Sequence, residues 1–574
     1  MRRPEGQGLN DLYVRFFRMA ERRITEQTGR GIVCFISNYS WLDGLSFTGM
    51  RERYLEAFDA IRIDCLNGDK YKTGKIAPDG SPDPSIFSSA GDPVGIQVGT
   101  AIATLVRKPE HQPARTVGLR HLWGQAKRAE LLATREEEPG GLYEEIEPVR
   151  PLGLPFVRMA VRDQWFDWPA LPDLFPVFFP GVKTSRDAFL VDHDLDVLKA
   201  RLAVYFDPTI SHGDIGRRYP AVMKTTRRFP ARAVRDALLA RGGPKPGGFV
   251  RYAYRPFDNR WLYWEAETKL LDEKRPDYRP QVFAGNTWLC VVPRLRRDAA
   301  EAQVTATPNL ASLHLNEWGA SLVPRLLRGA GLTAREGPAP NLSASARRYL
   351  ERTNAEPADL FHHALRVFHD PEYREANAGA LSVEWPRIPL PGWPDGRASG
   401  AAEALRTSAA TGRRLAALLD PDTPVPGVTE GPLPPELAAI AVPATTSGRQ
   451  MTGDDFAVRA GWGHFGAARA VMPGAGRARE RDFTASERDA LASARTVLGE
   501  TTWDIHLNDR AFFRNVPGAV WRYRLGGYQV LKKWLSYREE RVLGRPVRPD
   551  EVHHFTNTAR RIAAILLLVS PSRA

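Results

Sequence analysis

Only three cysteines, Cys34, Cys65 and Cys290, occur in 574 residues, far apart along the chain. That scarcity excludes a disulfide framework and a zinc site built on thiolates. Each lies in an apolar run of strand type and is expected to be buried. The longest apolar run, IAAILLLV near the C-terminus, falls well short of the roughly 20 residues that a bilayer-spanning helix needs. No signal sequence opens the chain, so a reducing, cytoplasmic setting without membrane contact is expected. The string G-x-x-x-x-G-K-S/T is absent, which excludes a P-loop NTPase, and no convincing nuclease motif appears. Acidic residues are in deficit, 67 against 80 lysines and arginines, for a net charge of +13. The surplus suits a polyanionic partner, because cationic side chains displace the counterions condensed on nucleic acid; a GC-rich coding sequence, which inflates arginine, gives the same composition. The length leaves room for three or four domains.

What is present is organised around residues 31–75. GIVCFIS (31–37) predicts a buried strand. NYSWLDG (38–44) predicts a turn, and FTGMRERYLEAF (47–58) a helix. Phe47, Met50, Tyr54, Leu55 and Phe58 share that helix's apolar face, while Arg51, Glu52, Arg53 and Glu56 are expected to face water. AIRIDCL (60–66) predicts the next strand. Strand, loop, helix and strand read as a right-handed crossover of a parallel sheet, whose ligands gather at the carboxyl ends of the strands. Those ends carry SNYSWLDG and LNGDKYKTG. The strings S-N-x-x-W-L-D-G, M-R within the helix and L-x-G-x-x-x-K resemble the second half of the adenine-specific DNA methyltransferase domain of type ISP restriction-modification enzymes. An anonymous parallel α/β unit is the alternative.

Residues 9–24 predict an amphipathic helix with Leu12, Tyr13, Phe16, Phe17, Ala20 and Ile24 on one side. In the resembled family this helix follows a catalytic Asn/Asp-Pro-Pro-aromatic tetrapeptide, which orients the extruded adenine, and a glycine-rich turn further upstream holds S-adenosylmethionine. Neither string occurs here; Asn515-Val516-Pro517-Gly518 is the nearest. The resemblance therefore implies a C-terminal portion of such an enzyme, with S-adenosylmethionine the cofactor of the intact family and none expected to bind this chain alone. Residues 67–93 predict a long polar loop, and 95–108 an alternating strand expected to be the last of the sheet. The resemblance implies base stacking for Phe87, with Tyr71 as second choice; anchoring the loop to the sheet is the other role open to Phe87. TVGLRHLWGQAKRAEL (116–131) resembles the exit from the methyltransferase domain, which places a boundary near residue 135.

Residues 136–390 read as an α+β target-recognition domain. Gly181 to Asp187 resembles its start, a polar loop whose Lys183, Thr184 and Arg186 suit phosphates. FVRYAYRPFDNRWLYW (249–264) interleaves cations with rings. Tyr254, Arg255 and Arg260 are its DNA-binding candidates, although the arginines have Asp258 and Glu265 within reach as partners and Phe257, Trp261 and Trp264 equally suit a core. The alternation Asp192, His193, Asp194 puts the histidine opposite both aspartates and reads as a solvated strand end. His362, His363 and His369 lack acidic or cysteine partners at ligand spacing, so no metal is expected. Segments 311–326 and 360–390 continue the resemblance. Residues 391–455 read as a Pro/Gly/Ala-rich linker carrying one helix. Residues 456–574 read as the C-terminal part of the specificity region, with Trp521, Tyr523 and Leu525 strand-like and Lys532, Lys533 and Arg538 on a helix as further DNA candidates.

The expected fold class is an α/β partial Rossmann-like methyltransferase sheet (1–135), followed by an α+β target-recognition domain and a mixed, mainly helical C-terminal segment. The function implied by the resemblance is DNA recognition and adenine methylation on double-stranded DNA, with a separately encoded N-terminal methyltransferase half as partner. A non-catalytic DNA-specificity subunit and a gene remnant are the alternatives. The helix 9–24 and the strand 31–37 are expected to leave an apolar seam of Leu12, Phe16, Phe17, Val33 and Phe35 where that other half would pack.

Overall fold

The computed structural model describes residues 8–89, 91–134, 141–295, 302–316, 319–329, 337–395, 397, 399–466 and 470–570. These fall into two compact units. The first holds the chain up to Arg162 with two short returns, within 294–298 and at 376–384; the second holds the remainder.

In the first unit α1 (Leu12–Arg22), β1 (Gly31–Asn38), α2 (Thr48–Ala57), β2 (Ala60–Asn67), β3 (Thr100–Arg107), β4 (Val117–His121), α3 (Lys127–Ala133) and β5 (Glu144–Ile146) build a mixed sheet of order β1-β3-β2-β4-β5. β1 and β2 run parallel, as the strand-helix-strand pattern implies, but they are not neighbours: β3 lies between them, antiparallel to both. The strand expected to be last is thus central. Its Ala101, Ala103 and Leu105 are buried, and the long connection after β2 lets the chain return between two apolar strands. Periodicity marks a strand but not its neighbours. β5 pairs with β4, so residues 141–162, expected in the next domain, belong to this unit.

The core of the unit forms where Phe17 of α1 meets Trp41 and Tyr54 at ring-centroid distances of 5.4 and 6.0 Å, with Phe58 against Tyr54 at 5.9 Å. Each such aromatic pair adds about 0.5–1.5 kcal/mol beyond its buried area. Arg51 does not face water. It is fully buried and donates to the carbonyls of Trp41 (2.6 Å), Gly44 (2.9 Å) and Gly153 (2.8 Å). It thereby satisfies turn carbonyls that would otherwise be stranded, and burial draws its guanidinium down to about 10.

The opposite face of the sheet is bare at β1. Ile32, Cys34 and Ile36 are exposed and stand across from Val106, Thr104 and Ile102. Cys34 is therefore not buried as expected, whereas Cys65 and Cys290 are. α1 turns Leu12, Phe16 and Met19 outward, Leu12 being 66% exposed and Ile32 63%. Of the expected seam Leu12 and Phe16 are exposed, but Phe17 and Val33 lie in the core and Phe35 is half-buried. The period-two alternation of a strand sends Val33 inward and both its neighbours out.

In the second unit β6 (Phe179–Pro180), β7 (Val191–Asp192), β8 (Phe249–Arg255), β9 (Asp258–Tyr263), β10 (Trp288–Val291), β11 (Thr305–Thr307), β12 (Leu310–Ala311) and β13 (Ser321–Pro324) form two sheets, β11-β10-β13-β6 and β12-β8-β9-β7. A shared core of Val182, Leu190, Leu262, Trp288, Leu310 and Leu322 packs against both. Residues 391–455 are not a linker. The helix Ala401–Leu419 lies so close to the helix Pro357–Phe368 that a Cβ on Gly412 would stand 1.9 Å from the carbonyl oxygen of His362. Alanine-rich composition here marks close helix packing rather than a spacer. The C-terminal part holds a four-stranded antiparallel sheet of Val442–Thr445, Ala511–Pro517, Thr501–His506 and Ala478–Asp482, on which the helix Pro549–Val569 packs through stacked Phe513 and Phe555 (3.9 Å). Trp521 lies in a short helix, Gly518–Arg522, rather than a strand; Leu525 does pair, with Tyr528 across the Gly526-Gly527 turn. Among the described residues no helix is long and apolar enough to cross a membrane.

Candidate nucleic-acid interface

Two places bring the candidate residues to a surface, one in each unit. In the first, the connection after β2 is pinned by two buried carboxylates. Asp69 accepts the backbone N–H groups of Tyr71 and Lys72 (2.6 Å each) and of Gly99 (2.9 Å). Asp83 accepts those of Gly68 (2.7 Å) and Gly124 (2.9 Å) and pairs with the buried Lys127 ammonium at 2.6 Å. Lys127 donates further to the carbonyls of Leu66 and Pro84. The loop is thus fixed from below while its aromatics stay outside: Tyr71 is 66% and Phe87 47% exposed. A rigid loop presenting exposed rings can stack on a base with little ordering cost. Lys72, over the Tyr39 ring and 2.7 Å from Asp43, joins this loop to the turn after β1.

In the second unit the segments 181–187, 249–264, 312–314 and 528–538 converge on a ladder of alternating cations and rings. Arg255 lies over Tyr254 (4.2 Å to the ring centroid), Arg260 between Tyr254 (4.0 Å) and Tyr537 (4.3 Å), and Lys533 over Tyr537 (4.5 Å). Each contact draws a cation to the negative face of a ring. Asp258 anchors the ladder: Arg260 donates to it at 2.6 and 3.0 Å and Arg538 at 2.9 Å. Burial pushes the Asp258 carboxyl up, but the two guanidinium groups outweigh it and hold it well below the ordinary carboxylate range. Arg538 also donates to Nδ1 of His193 (3.2 Å), whose imidazole burial and the neighbouring arginines hold well below its ordinary value. Tyr537 experiences burial and the charges of Arg255, Lys533 and Arg260, and the cations prevail, leaving its phenol below its ordinary value.

Tyr254, Arg255, Arg260, Lys533 and Arg538 are therefore brought together, but in different roles. Arg260 and Arg538 are buried and committed to Asp258, and Tyr254 donates its hydroxyl to Asp187 (2.9 Å). Arg186 is buried as well, stacked on Phe229 (3.7 Å) and donating to the carbonyls of Leu270 and Lys269. The buried Thr184 hydroxyl bonds Asp187. Of the candidates in the 181–187 loop, Lys183 alone is not buried; it stands 3.1 Å from Asp272, to which the exposed Ser185 also donates (2.9 Å). Half-buried Lys532 forms no ion pair among the described residues. Tyr537, Tyr528 and Asp187 were missed by sequence reasoning; the four-residue spacing of Lys533 and Tyr537 on one helix is the signal that would have found Tyr537.

Asp192, His193 and Asp194 are not a solvated strand end. Asp192 pairs with Arg201, His193 joins the ladder, and Asp194 caps the following helix and binds Arg548 at 2.6 Å. His363 and His369 donate Nε2–H to the carbonyls of Pro389 and Val304, and no cluster able to hold a metal ion occurs among the described residues.

The profile of the type ISP C-terminal specificity domain matches residues 173–563. Among curated proteins no relative matches the sequence. Solved structures share the fold: a DrdV–DNA complex (20% identity over 99% of this chain and 53% of the other, TM-score 0.59), and a nuclease-deletion mutant of the type ISP restriction-modification enzyme LlaGI in complex with a DNA substrate mimic (16%, 98% and 48%, TM-score 0.58). A third is the ATP-dependent type ISP restriction-modification enzyme LlaBIII bound to DNA (16%, 99% and 35%, TM-score 0.61). The chain spans about half or less of the length of these structures. At such identities the likeness is one of fold.

Proposed function

The chain belongs to the type ISP C-terminal specificity domain family, and on that premise we propose that it recognises duplex DNA and directs adenine methylation within a restriction-modification system. The observation that carries the DNA reading is the convergence of four separate segments on the cation–ring ladder, whose surface residues suit phosphates and base faces. The solved structures of this fold that contain DNA support it. We read the first unit as part of a Rossmann-like methyltransferase sheet, with Phe87 or Tyr71 stacking on the extruded base and Lys183 and Lys532 on the backbone.

We infer that this chain alone holds no S-adenosylmethionine, and the turn after β1 supports it. The carboxyl end of β1 is closed by its own turn: Asn38 caps Ser40 (2.7 Å), Tyr39 and Trp41 are buried, and Arg51 occupies the Trp41 and Gly44 carbonyls. In this reading the chain supplies specificity, and a methyltransferase half packs against the bare face of β1 to supply the cofactor site.

The test is binding and transfer with the full chain, alone and co-expressed with a methyltransferase half. Alone, it should bind duplex DNA with an affinity that falls steeply as salt rises from about 50 to 200 mM and transfer no methyl group. The complex should methylate adenine, and Phe87→Ala should lower transfer far more than binding. Methyl transfer by the pure chain would sink the specificity-subunit reading, and salt-independent binding would sink the phosphate-driven interface.

A further inference from the structure

The ladder has a surplus of positive charge at one end. Asp258 answers Arg260 and Arg538 at the inner end, and Glu551 stands 3.9 Å from Arg538. At the outer end Arg255 and Lys533 form no ion pair among the described residues. Their direct partners are uncharged oxygens: Arg255 donates to the carbonyl of Tyr254 (2.6 Å) and, at 3.5 Å, to the Ser312 hydroxyl, and Lys533 donates to the carbonyl of Val471 (3.2 Å) and to the Tyr537 hydroxyl. The Arg255 Nε–H is buried without an acceptor. Both cations approach the same Tyr528 ring, at 5.6 and 5.8 Å, and both are half-buried rather than sealed. Two half-desolvated cations converging on one ring, with a buried donor unanswered, offer charge and a free donor to an anion.

We propose that Arg255 and Lys533 clasp a phosphate group, which on the reading above is a backbone phosphate of bound duplex DNA. The ladder would set the geometry: Tyr254 and Tyr537, held by Arg260 and Asp258, fix the two cations, so little side-chain entropy is lost when the anion arrives. Burial draws the Lys533 ammonium below its ordinary value, whereas the neighbouring phenols and Asp187 hold the Arg255 guanidinium above its own despite burial. A phosphate beside Lys533 relieves the first. The site reads no base, so it positions DNA without selecting sequence.

The inference rests on the DNA reading for the identity of the ligand but not for the existence of the site, and two arms separate them. In the first, duplex binding by the full chain is measured across salt for wild type, Lys533→Gln, Lys533→Arg and the control Lys199→Gln, a half-exposed lysine on another helix. The expected result is about a tenfold loss for Lys533→Gln on every duplex with the salt slope reduced by about 1, retention in Lys533→Arg, and no change in the control. In the second arm thermal unfolding is followed with inorganic phosphate at constant ionic strength. Wild type should be stabilised and Lys533→Gln should not. Wild type binding DNA while Lys533→Gln matches it in affinity and slope overturns the proposal. Absence of DNA binding in wild type defeats the DNA reading; stabilisation by phosphate that Lys533→Gln loses then keeps the site as one for a small anion, and equal behaviour of the two proteins overturns it.

Discussion

Shut away from water and 2.6 Å from Asp83, the Lys127 ammonium depends on that carboxylate. Removing one member of a buried pair leaves the other charged and unanswered, at about 3–5 kcal/mol. Asp83→Ala should therefore lower the unfolding free energy by about that amount, and the loop carrying Tyr71 and Phe87 should become the first site of proteolytic cleavage. Urea titration and limited proteolysis check it. The buried histidines give a pH dependence. Burial lowers His363 to about 4 and His369 to about 3, whereas an unfolded histidine titrates near 6.5. Between those values the unfolded chain binds more protons, so stability is complete above about pH 6.5 and falls as pH drops toward 4 to 3. The expected loss at about pH 5 is roughly 2 kcal/mol for each histidine. An unfolding free energy unchanged between about pH 7.5 and 5 would contradict it.

Among the elements, the tightest approach is that of Ala401–Leu419 to Pro357–Phe368 at Gly412. Gly412→Ala must push the two backbones apart and should destabilise by about 1–3 kcal/mol despite alanine's better helix propensity; a stabilised variant would show that the helices are free to slide. This contact was not legible in composition, because Ala, Gly and Thr mark a spacer and a close-packed interface alike. β1, α2, β2 and the exit through β4 into α3 were legible, since each carries its own period and its own end signals. The central place of β3 was not, because register and neighbour order are set by tertiary packing. Arg51 was assigned to water by helical spacing alone, which takes no account of the carbonyls of Trp41, Gly44 and Gly153 that gather around it. In the ladder the sequence showed that Arg255 and Arg260 alternate with rings. It offered Asp258 as a partner for Arg260, which the structure has, but did not show that Tyr537 and Lys533 arrive from a helix distant in the chain.

At the scale of the molecule the family is established over residues 173–563, while the first unit remains a mixed sheet with one face dressed by α1 and α2 and the other bare at β1. That asymmetry has a practical side in the lone thiol it exposes. Cys34 sits among Ile32 and Ile36 on the bare face, and Cys65 and Cys290 are buried. The native chain should thus take up one maleimide per molecule quickly and two more only on unfolding, read by intact mass. Because the label stands in the middle of the seam, its rate of attachment becomes a gauge of occupancy. A polypeptide that completes the sheet should slow Cys34 alkylation in proportion to the fraction bound, and a fluorophore placed there should shift its emission to the blue as water leaves. The chain carries its own probe for the surface whose covering decides whether it works alone.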